Sequence, residues 1–166
     1  MQQNSSYTPT ADTICMNDFD RLCKTFEDLD PASYSVVLAQ KSKDVLEGLA
    51  AVTGDVQSAV DLYVDIVLMA ISADGKLDRE EYILVEPGLS AAVGQDITYD
   101  DARKIFAKAN LDARDNKAAV DEIVDMVGQV SPEIKDDIVL LTLIICSVDG
   151  KVSGKEKAWI RQLIKE

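Results

Sequence analysis

The chain has 166 residues, of which 47% are hydrophobic and only 5% aromatic. This length and apolar content predict one compact domain whose core is filled by aliphatic side chains and alanine, which favours helices over sheets. The net charge is −13, with 17 Lys and Arg against 30 Asp and Glu, so the surface repels phosphate backbones and anionic lipid headgroups. We therefore expect no nucleic-acid binding, and cations and basic proteins remain the candidate ligands.

Histidine is absent, which excludes Ser-His and Cys-His catalysis within this chain and removes the commonest metal ligand. The three cysteines, Cys15, Cys23 and Cys146, lack metal-ligand or redox spacing, which indicates a reducing compartment. We expect exposed thiols at Cys15 and Cys23 and a core position for Cys146. The longest apolar run, residues 138–148, is shorter than the ~20 residues of a spanning helix. The sequence thus predicts a cytoplasmic protein that does not span a membrane.

The sequence pattern predicts a flexible arm and three helices in the N-terminal part of the chain. Residues 1–16 lack periodicity and are predicted to be a flexible arm, and residues 17–166 to form the domain. A first helix starts at Asn17, and Asp30-Pro31 ends it and opens a second helix that runs toward Leu49. Gly54-Asp55 breaks that helix. The following segment, residues 56–72, is apolar on more than one stripe, which predicts a central helix.

Further helices are predicted over the rest of the chain. A fourth begins at Asp78, and Pro87-Gly88 is expected to interrupt or kink it before Gly94. Segments 98–109 and 118–130 are the next two helices. Ser131-Pro132-Glu133 is a helix start and leads into a second central helix over residues 134–148. The last helix has an apolar inward face of Trp159, Ile160, Leu163 and Ile164. The fold class predicted is all-α, a single-domain bundle of about seven to eight helices with two pseudo-symmetric helix-turn-helix halves.

One phrase occurs twice, as Ser72-Ala-Asp-Gly-Lys-Leu-Asp-Arg-Glu-Glu81 and as Ser147-Val-Asp-Gly-Lys-Val-Ser-Gly-Lys-Glu156. Asp149 follows Asp74 by 75 positions, and Glu156 follows Glu81 by the same 75. An apolar run precedes each copy, so a duplicated helix-turn-helix is the simplest interpretation.

Local folding alone explains the phrase. Ser153 and Glu156 have the S/T-x-x-E spacing of a capping box, and Asp78 and Glu81 have a similar arrangement. Asp-Gly before each helix start is a favourable turn, because glycine tolerates positive φ and aspartate bonds the backbone two residues on.

The phrase also matches the second half of a calcium loop. With Asp74 at loop position five, Gly75, Leu77 and Glu81 fall at positions six, eight and twelve, and the second copy fits in the same way. The early carboxylates of the loop are missing, so one copy alone is expected to bind weakly. Two facing copies could hold a divalent cation, Ca, Mg or Mn. The candidate ligands are Asp74, Asp78, Glu81, Asp149 and Glu156, with the carbonyls of Lys76 and Lys151 in reserve.

An apolar helix that ends in Ala-Asp-Gly, followed by an aliphatic residue and an acid-rich helix start, resembles the TerB family of tellurite-resistance proteins. It is also similar to the related domain of membrane-anchored DnaJ-like co-chaperones. The resemblance covers about residue 55 to the C-terminus. It implies a pseudo-twofold helical bundle, divalent metal at Asp74, Glu81, Asp149 and Glu156, and a cytoplasmic role in stress resistance beside a membrane protein. In the second copy Val148 replaces alanine and Gly154-Lys155 replaces an acidic pair.

Three functions follow from the sequence. The first is a non-enzymatic, TerB-like stress-response protein that binds a divalent cation and acts in a protein assembly. The second is a metal-independent interaction module whose acidic face docks a basic partner. The third, an enzyme that uses clustered carboxylates and a metal-bound water, is disfavoured because no further acid-base group lies near the repeat. No organic cofactor is predicted.

Overall fold

The computed structural model describes residues 16–73, 77–108, 125, 129 and 131–164, with side chains described from residue 18 onward. These residues form helices and turns without a strand, which confirms the all-α prediction for the part of the chain that is described. The predicted arm over residues 1–16 and the predicted helix over 118–130 lie almost entirely outside it. The helices described are α1 Met16–Glu27, α2 Pro31–Thr53, α3 Val56–Ile71, α4 Arg79–Val93, α5 Tyr99–Lys108, α6 Pro132–Cys146 and α7 Gly154–Ile164.

The boundary between α2 and α3 is set by short-range hydrogen bonds. The Asp30 carboxylate accepts the N–H of Ser33 at 3.0 Å at the start of α2. The helix ends at Gly54, whose φ of 68° is a left-handed conformation that glycine adopts without steric cost. Asp55 then caps α3 by accepting the N–H of Ser58 at 2.9 Å. The predicted break at Gly54-Asp55 is confirmed, and α2 extends slightly beyond the predicted end.

Helices α3 and α6 lie at the centre of the molecule. Residues 66–71 of α3 and 138–146 of α6 are all buried, and the two helices pack against each other. Helix α2 packs against both of them and against α4. The prediction that both segments are central is therefore confirmed. Each aliphatic side chain buried in this way contributes about 1.5–3 kcal/mol to the free energy of unfolding. None of the helices in the described ranges has the length and apolarity needed to cross a bilayer.

One buried polar contact joins α2 to α3. The hydroxyl of Tyr63 donates to Ser42 Oγ at 2.8 Å, and both side chains are fully enclosed. Burial raises the pKa of Tyr63 to about 12, so the phenol stays protonated and remains a donor. Because a buried hydroxyl without a partner is costly, this pair specifies how α2 and α3 are aligned.

Helix α4 continues through Pro87, so the predicted interruption at Pro87-Gly88 is wrong, whereas a kink, the alternative to it, stays a prediction. Val85 and Leu89 on either side of the proline are both buried. Gly88 lies against α2 so closely that an added Cβ would come within 2.9 Å of Leu38 Cδ2. The close packing of α4 on α2 therefore offsets the cost of proline in a helix interior, about 3 kcal/mol.

The thiol of Cys23 is buried, so the expectation of an exposed thiol there is wrong. Its side chain is 1% exposed because it lies one turn after the buried Phe19, on a helix that packs against α6. Burial raises the pKa of Cys23 to about 11. Cys146 is buried as predicted, whereas Cys15 lies outside the described residues.

An ion pair links α2 to α6 at the edge of the core. Lys41 Nζ lies 2.7 Å from Asp137 Oδ1 and 3.5 Å from Asp44 Oδ2. The Lys41 and Asp137 side chains are 23% and 26% exposed. Burial lowers the pKa of Lys41, but the hydrogen bond and charge of Asp137, with a smaller effect of Asp44, outweigh it, and the net pKa is raised.

We expect Asp137→Asn to lower the free energy of unfolding by about 1–2 kcal/mol at neutral pH, because it removes a partly shielded, charge-assisted hydrogen bond. Since the folded pKa of Lys41 is raised, this stabilisation is present below the unfolded lysine pKa of about 10.4 and is lost as pH rises through the folded value. Urea denaturation at neutral pH and at a pH above the raised pKa of Lys41 measures both effects.

The control is Asp28→Asn, which removes the exposed Lys24–Asp28 pair at 3.2 Å. Its cost should stay below about 0.5 kcal/mol, as for other exposed pairs within one helix. Equal losses in the two variants would mean that the α2–α6 pair contributes no more than a surface contact.

Candidate functional site

The two copies of the repeated phrase begin where α3 and α6 meet. The thiol of Cys146 donates to the carbonyl of Ala70 at 3.5 Å, a buried contact between the last turns of the two helices. Each helix ends at a buried serine whose hydroxyl bonds back to its own last turn, Ser72 to Leu68 O and Ser147 to Ile144 O, both at 2.8 Å. The chain therefore enters both turns from neighbouring positions in the core.

The second turn has the geometry that the sequence predicts. Asp149 Oδ1 accepts the N–H of Lys151 at 3.0 Å, two residues on. Gly150 has a φ of 83°, in the left-handed region, and donates its N–H to Ser147 O at 2.9 Å. An L side chain would be strained at this glycine. Asp149 itself is exposed.

The first turn is described only on either side of residues 74–76. Asp74, Gly75 and Lys76 lie outside the described residues, so the predicted ligand Asp74 is not located. The next residue, Leu77, accepts a hydrogen bond at its carbonyl from the hydroxyl of Tyr99 at 3.1 Å.

Both helix starts after the turns are capped as predicted. Asp78 Oδ1 accepts the N–H of Glu80 at 2.8 Å and of Glu81 at 3.1 Å at the start of α4. At the start of α7, the N–H of Ser153 donates to Glu156 Oε2 at 2.6 Å and the N–H of Glu156 donates to Ser153 Oγ at 3.2 Å. The second arrangement is a complete capping box. Asp78 and Glu156 therefore already serve the backbone.

The glutamates of both copies, Glu81 and Glu156, raise the pKa of one buried thiol, that of Cys146. Burial raises the pKa of Cys146 well above its usual value, and the charges of Glu156 and then Glu81 raise it further. A thiol held protonated in this way is not a nucleophile. Helices α4 and α7 each begin eight residues after the end of α3 or α6, and the last turns of α3 and α6 touch at Ala70 and Cys146, so both helix starts lie at the same end of the α3–α6 pair.

Within the described ranges, no three acidic or cysteine side chains group in a way that could hold a metal ion. Asp78, Glu81, Asp149 and Glu156 are all described, so they do not by themselves form the predicted cation site. A calcium ion takes six to eight oxygen ligands, which these residues would have to supply together with others. The five-residue ligand set, which includes Asp74, stays a prediction.

Three side chains from outside the repeat form hydrogen bonds with the backbone near the two turns, and no sequence pattern predicts these contacts. Glu27 Oε1 accepts the N–H of Val152 at 2.9 Å, across 125 positions of the chain. The hydroxyl of Tyr34 donates to Ile144 O at 2.8 Å. With Tyr99 at Leu77, side chains from outside the repeat thus bind the backbone after each turn. Such contacts depend on tertiary packing, so neither periodicity nor spacing identifies them.

No protein-family model matches this chain, and no curated protein or solved structure matches it. Inference about function therefore rests on the residues described above.

We expect Asp78→Ala to lower the free energy of unfolding by about 1 kcal/mol, because it removes the acceptor of two backbone N–H groups at the start of α4. Asp78→Asn should retain most of that stability, since asparagine is an equally good N-cap. Thermal unfolding of both variants by circular dichroism distinguishes the cap from the charge. A loss in Asp78→Asn as large as in Asp78→Ala would show that the charge, not the cap, stabilises the helix.

Proposed function

We propose that this chain is a TerB-like, non-enzymatic helical domain of a cytoplasmic stress-response assembly of the tellurite-resistance type, and that it binds a divalent cation between its two Asp-Gly turns. The observation that carries the proposal is the buried contact of Cys146 with Ala70, which brings the starts of the two turns together. The starts of α4 and α7, each eight residues after the end of α3 or α6, support the same arrangement.

We further infer two pseudo-symmetric helix-turn-helix halves. Helices α3 and α6 both end at a buried serine, and Ser147 follows Ser72 by 75 positions. The caps of the exit helices, Asp78 and Ser153, are separated by the same 75 positions. A repeat that preserves both the helix end and the next helix start is expected if one unit was duplicated.

The donor set has the chemistry of a site for a hard cation. Carboxylates and backbone carbonyls are the ligands that Ca²⁺ and Mg²⁺ prefer. In this proposal Asp74 and Asp149 supply oxygens from the turns, and Glu81 and Glu156 from the exit helices. Glu156 would have to release the N–H of Ser153, which it holds at 2.6 Å. Weak binding, with a Kd of about 10⁻⁴ M or higher, is therefore expected.

Calorimetric titration of chelator-stripped protein with Ca²⁺, Mg²⁺ and Mn²⁺ tests the proposal. At least one cation should bind, and at ten times its Kd it should raise the free energy of unfolding by about 1.4 kcal/mol. Asp74→Asn combined with Asp149→Asn should abolish both the heat and the stabilisation. Asparagine at 149 can still accept the N–H of Lys151, so the second turn is retained.

The matched control is Glu47→Gln with Glu133→Gln, which removes two exposed charges beside the close approach of Gly48 to Ile134, at the opposite end of α6 from its turn. It should bind the cation as the unmodified protein does. The metal proposal fails if none of the three cations binds and none of them raises the melting temperature of the unmodified protein.

A second function is favoured by the hydrogen bonds of the repeat. Asp78, Asp149 and Glu156 each accept a backbone N–H that ends a turn or starts a helix, so the phrase has a complete structural role without a metal. The remaining property is the charge of −13. We infer that, in this alternative, the chain is a metal-independent module whose acidic surface docks a basic protein.

Capture of a protein partner by the immobilised chain distinguishes the two functions. A purely electrostatic module should retain its partner in chelator and release it as salt rises from about 0.05 to 0.5 M, because screening shortens the reach of exposed charges. Release by chelator at constant salt would instead support the metal-dependent function. If no partner is retained at low salt under either condition, neither form of the assembly proposal stands.

A further inference from the structure

A groove with acidic walls lies between α3 and α5. Its volume is about 620 Å³, and residues 95–97 of the loop after α4 also line it. The charged residues that line it are four aspartates and one lysine, so the lining has an excess of negative charge. The aspartates are Asp61, Asp65, Asp96 and Asp101.

The floor of the groove is apolar. Val60 and Ile105 are half-buried, and Val64 and Ile97 beneath them are buried. An aliphatic side chain that enters the groove would therefore leave water for an apolar environment, which is favourable by about 25 cal/mol per Å². A groove of this size can take a few side chains.

Hydrogen bonds within the chain fix two of the four carboxylates of the walls. The side chain and then the backbone N–H of Thr98 donate to Asp101, and these bonds lower the pKa of its carboxyl. Asp61 accepts the side-chain amide of Gln57 at 2.9 Å. Both interactions hold a carboxylate at the edge of the groove.

Charge and shape together select the kind of ligand. In the described part of the chain the carboxylates do not group as ligands of one metal ion, so a single cation does not match their spacing. Nucleic acid and anionic membranes carry the same sign of charge as the walls. A peptide with lysine or arginine on both sides of an aliphatic residue matches walls and floor at once.

We propose that the groove between α3 and α5 docks a basic segment of a partner protein, with an aliphatic side chain over Val60 and Ile105 and cationic side chains against the aspartates. This assignment rests on the docking of a protein partner proposed above and gives that partner a place and a chemistry. It is separate from the Asp-Gly turns, since none of the four predicted cation ligands that the structure describes lines the groove.

The experiment is a fluorescence-anisotropy titration of the full chain with a fluorescein-labelled synthetic peptide of lysine, leucine and alanine. Two companion peptides replace lysine by glutamine or leucine by serine. The lysine–leucine peptide should bind more tightly than either companion. Asp61→Asn with Asp96→Asn should weaken it about fivefold, the loss expected for two exposed charge pairs.

Two controls make the assignment specific. Asp28→Asn with Glu133→Gln removes the same charge elsewhere and should weaken binding by less than about twofold. Val60→Thr changes the floor without changing its shape, and should weaken the leucine peptide but not the serine peptide. Val36→Thr is its matched control, because Val36 is exposed on α2. Circular dichroism checks that all variants fold.

Each of the following outcomes would contradict the assignment of the groove as a docking site. If both double variants weaken binding equally, the peptide responds to the total charge, and the interaction function stands without this site. If the peptide binds equally well to all variants, it docks elsewhere. If it does not bind while a partner is captured in a salt-dependent manner, the docking function holds and the groove assignment is wrong.

Discussion

The complete burial of the second half of α3 and of residues 138–146 of α6 is the constraint on which the rest of this fold depends. Two neighbouring helices whose last turns have no solvent face must satisfy their last carbonyls inside the protein, because an unpaired buried carbonyl costs about 1–3 kcal/mol. The Ser72 and Ser147 hydroxyls, the Cys146 thiol and the Tyr34 hydroxyl all donate to carbonyls of these last turns. The repeated serine therefore has a structural reason to stand at the start of each phrase.

The same constraint gives the acidic residues of the phrase two competing uses. After a buried helix end, the chain must turn within a few residues and start an exposed helix, and carboxylates are good acceptors for the N–H groups of such a start. Glu156 is held in this way by Ser153. Giving up a cap costs about 1 kcal/mol, which weakens cation binding by less than about tenfold. The cap thus lowers the affinity of a cation site without forbidding it.

Features of the fold that depend on neighbours in the chain could be predicted from the sequence. The ends of α2 and α4 at Gly54 and Gly94, and the start of α6 at Ser131, follow from the φ that glycine permits and from local capping. Pro87 was wrongly expected to interrupt α4, because the packing of that helix on α2 is invisible in a local pattern.

The candidate site was predictable to a lesser degree. The turn at Asp149 and the capping box at Ser153 use hydrogen bonds within three residues, and both were predicted. The contacts of Glu27 with Val152 and of Cys146 with Ala70 join residues 125 and 76 positions apart. No periodicity encodes such a pairing, since it arises only when the helices pack. The burial of Cys23 was missed for the same reason.

The groove and the turns lie at different positions along the axis of α3. The distance between them determines how strongly charge at one site changes binding at the other. Asp61 and Asp65 precede Ser72, the end of the helix, by 11 and 7 residues, or about 16 and 10 Å at 1.5 Å per residue. Exposed charges at these distances are largely screened at physiological salt, where the Debye length is about 8 Å. A cation at the turns would therefore change the potential of the groove only slightly. Any further coupling would have to pass through α3, whose second half is fixed in the core, or through the hydrogen bond from Tyr99 at the start of α5 to Leu77 O after the first turn. Docking of a basic segment and binding of a cation are thus expected to be nearly independent, so that the loss of one leaves the other measurable.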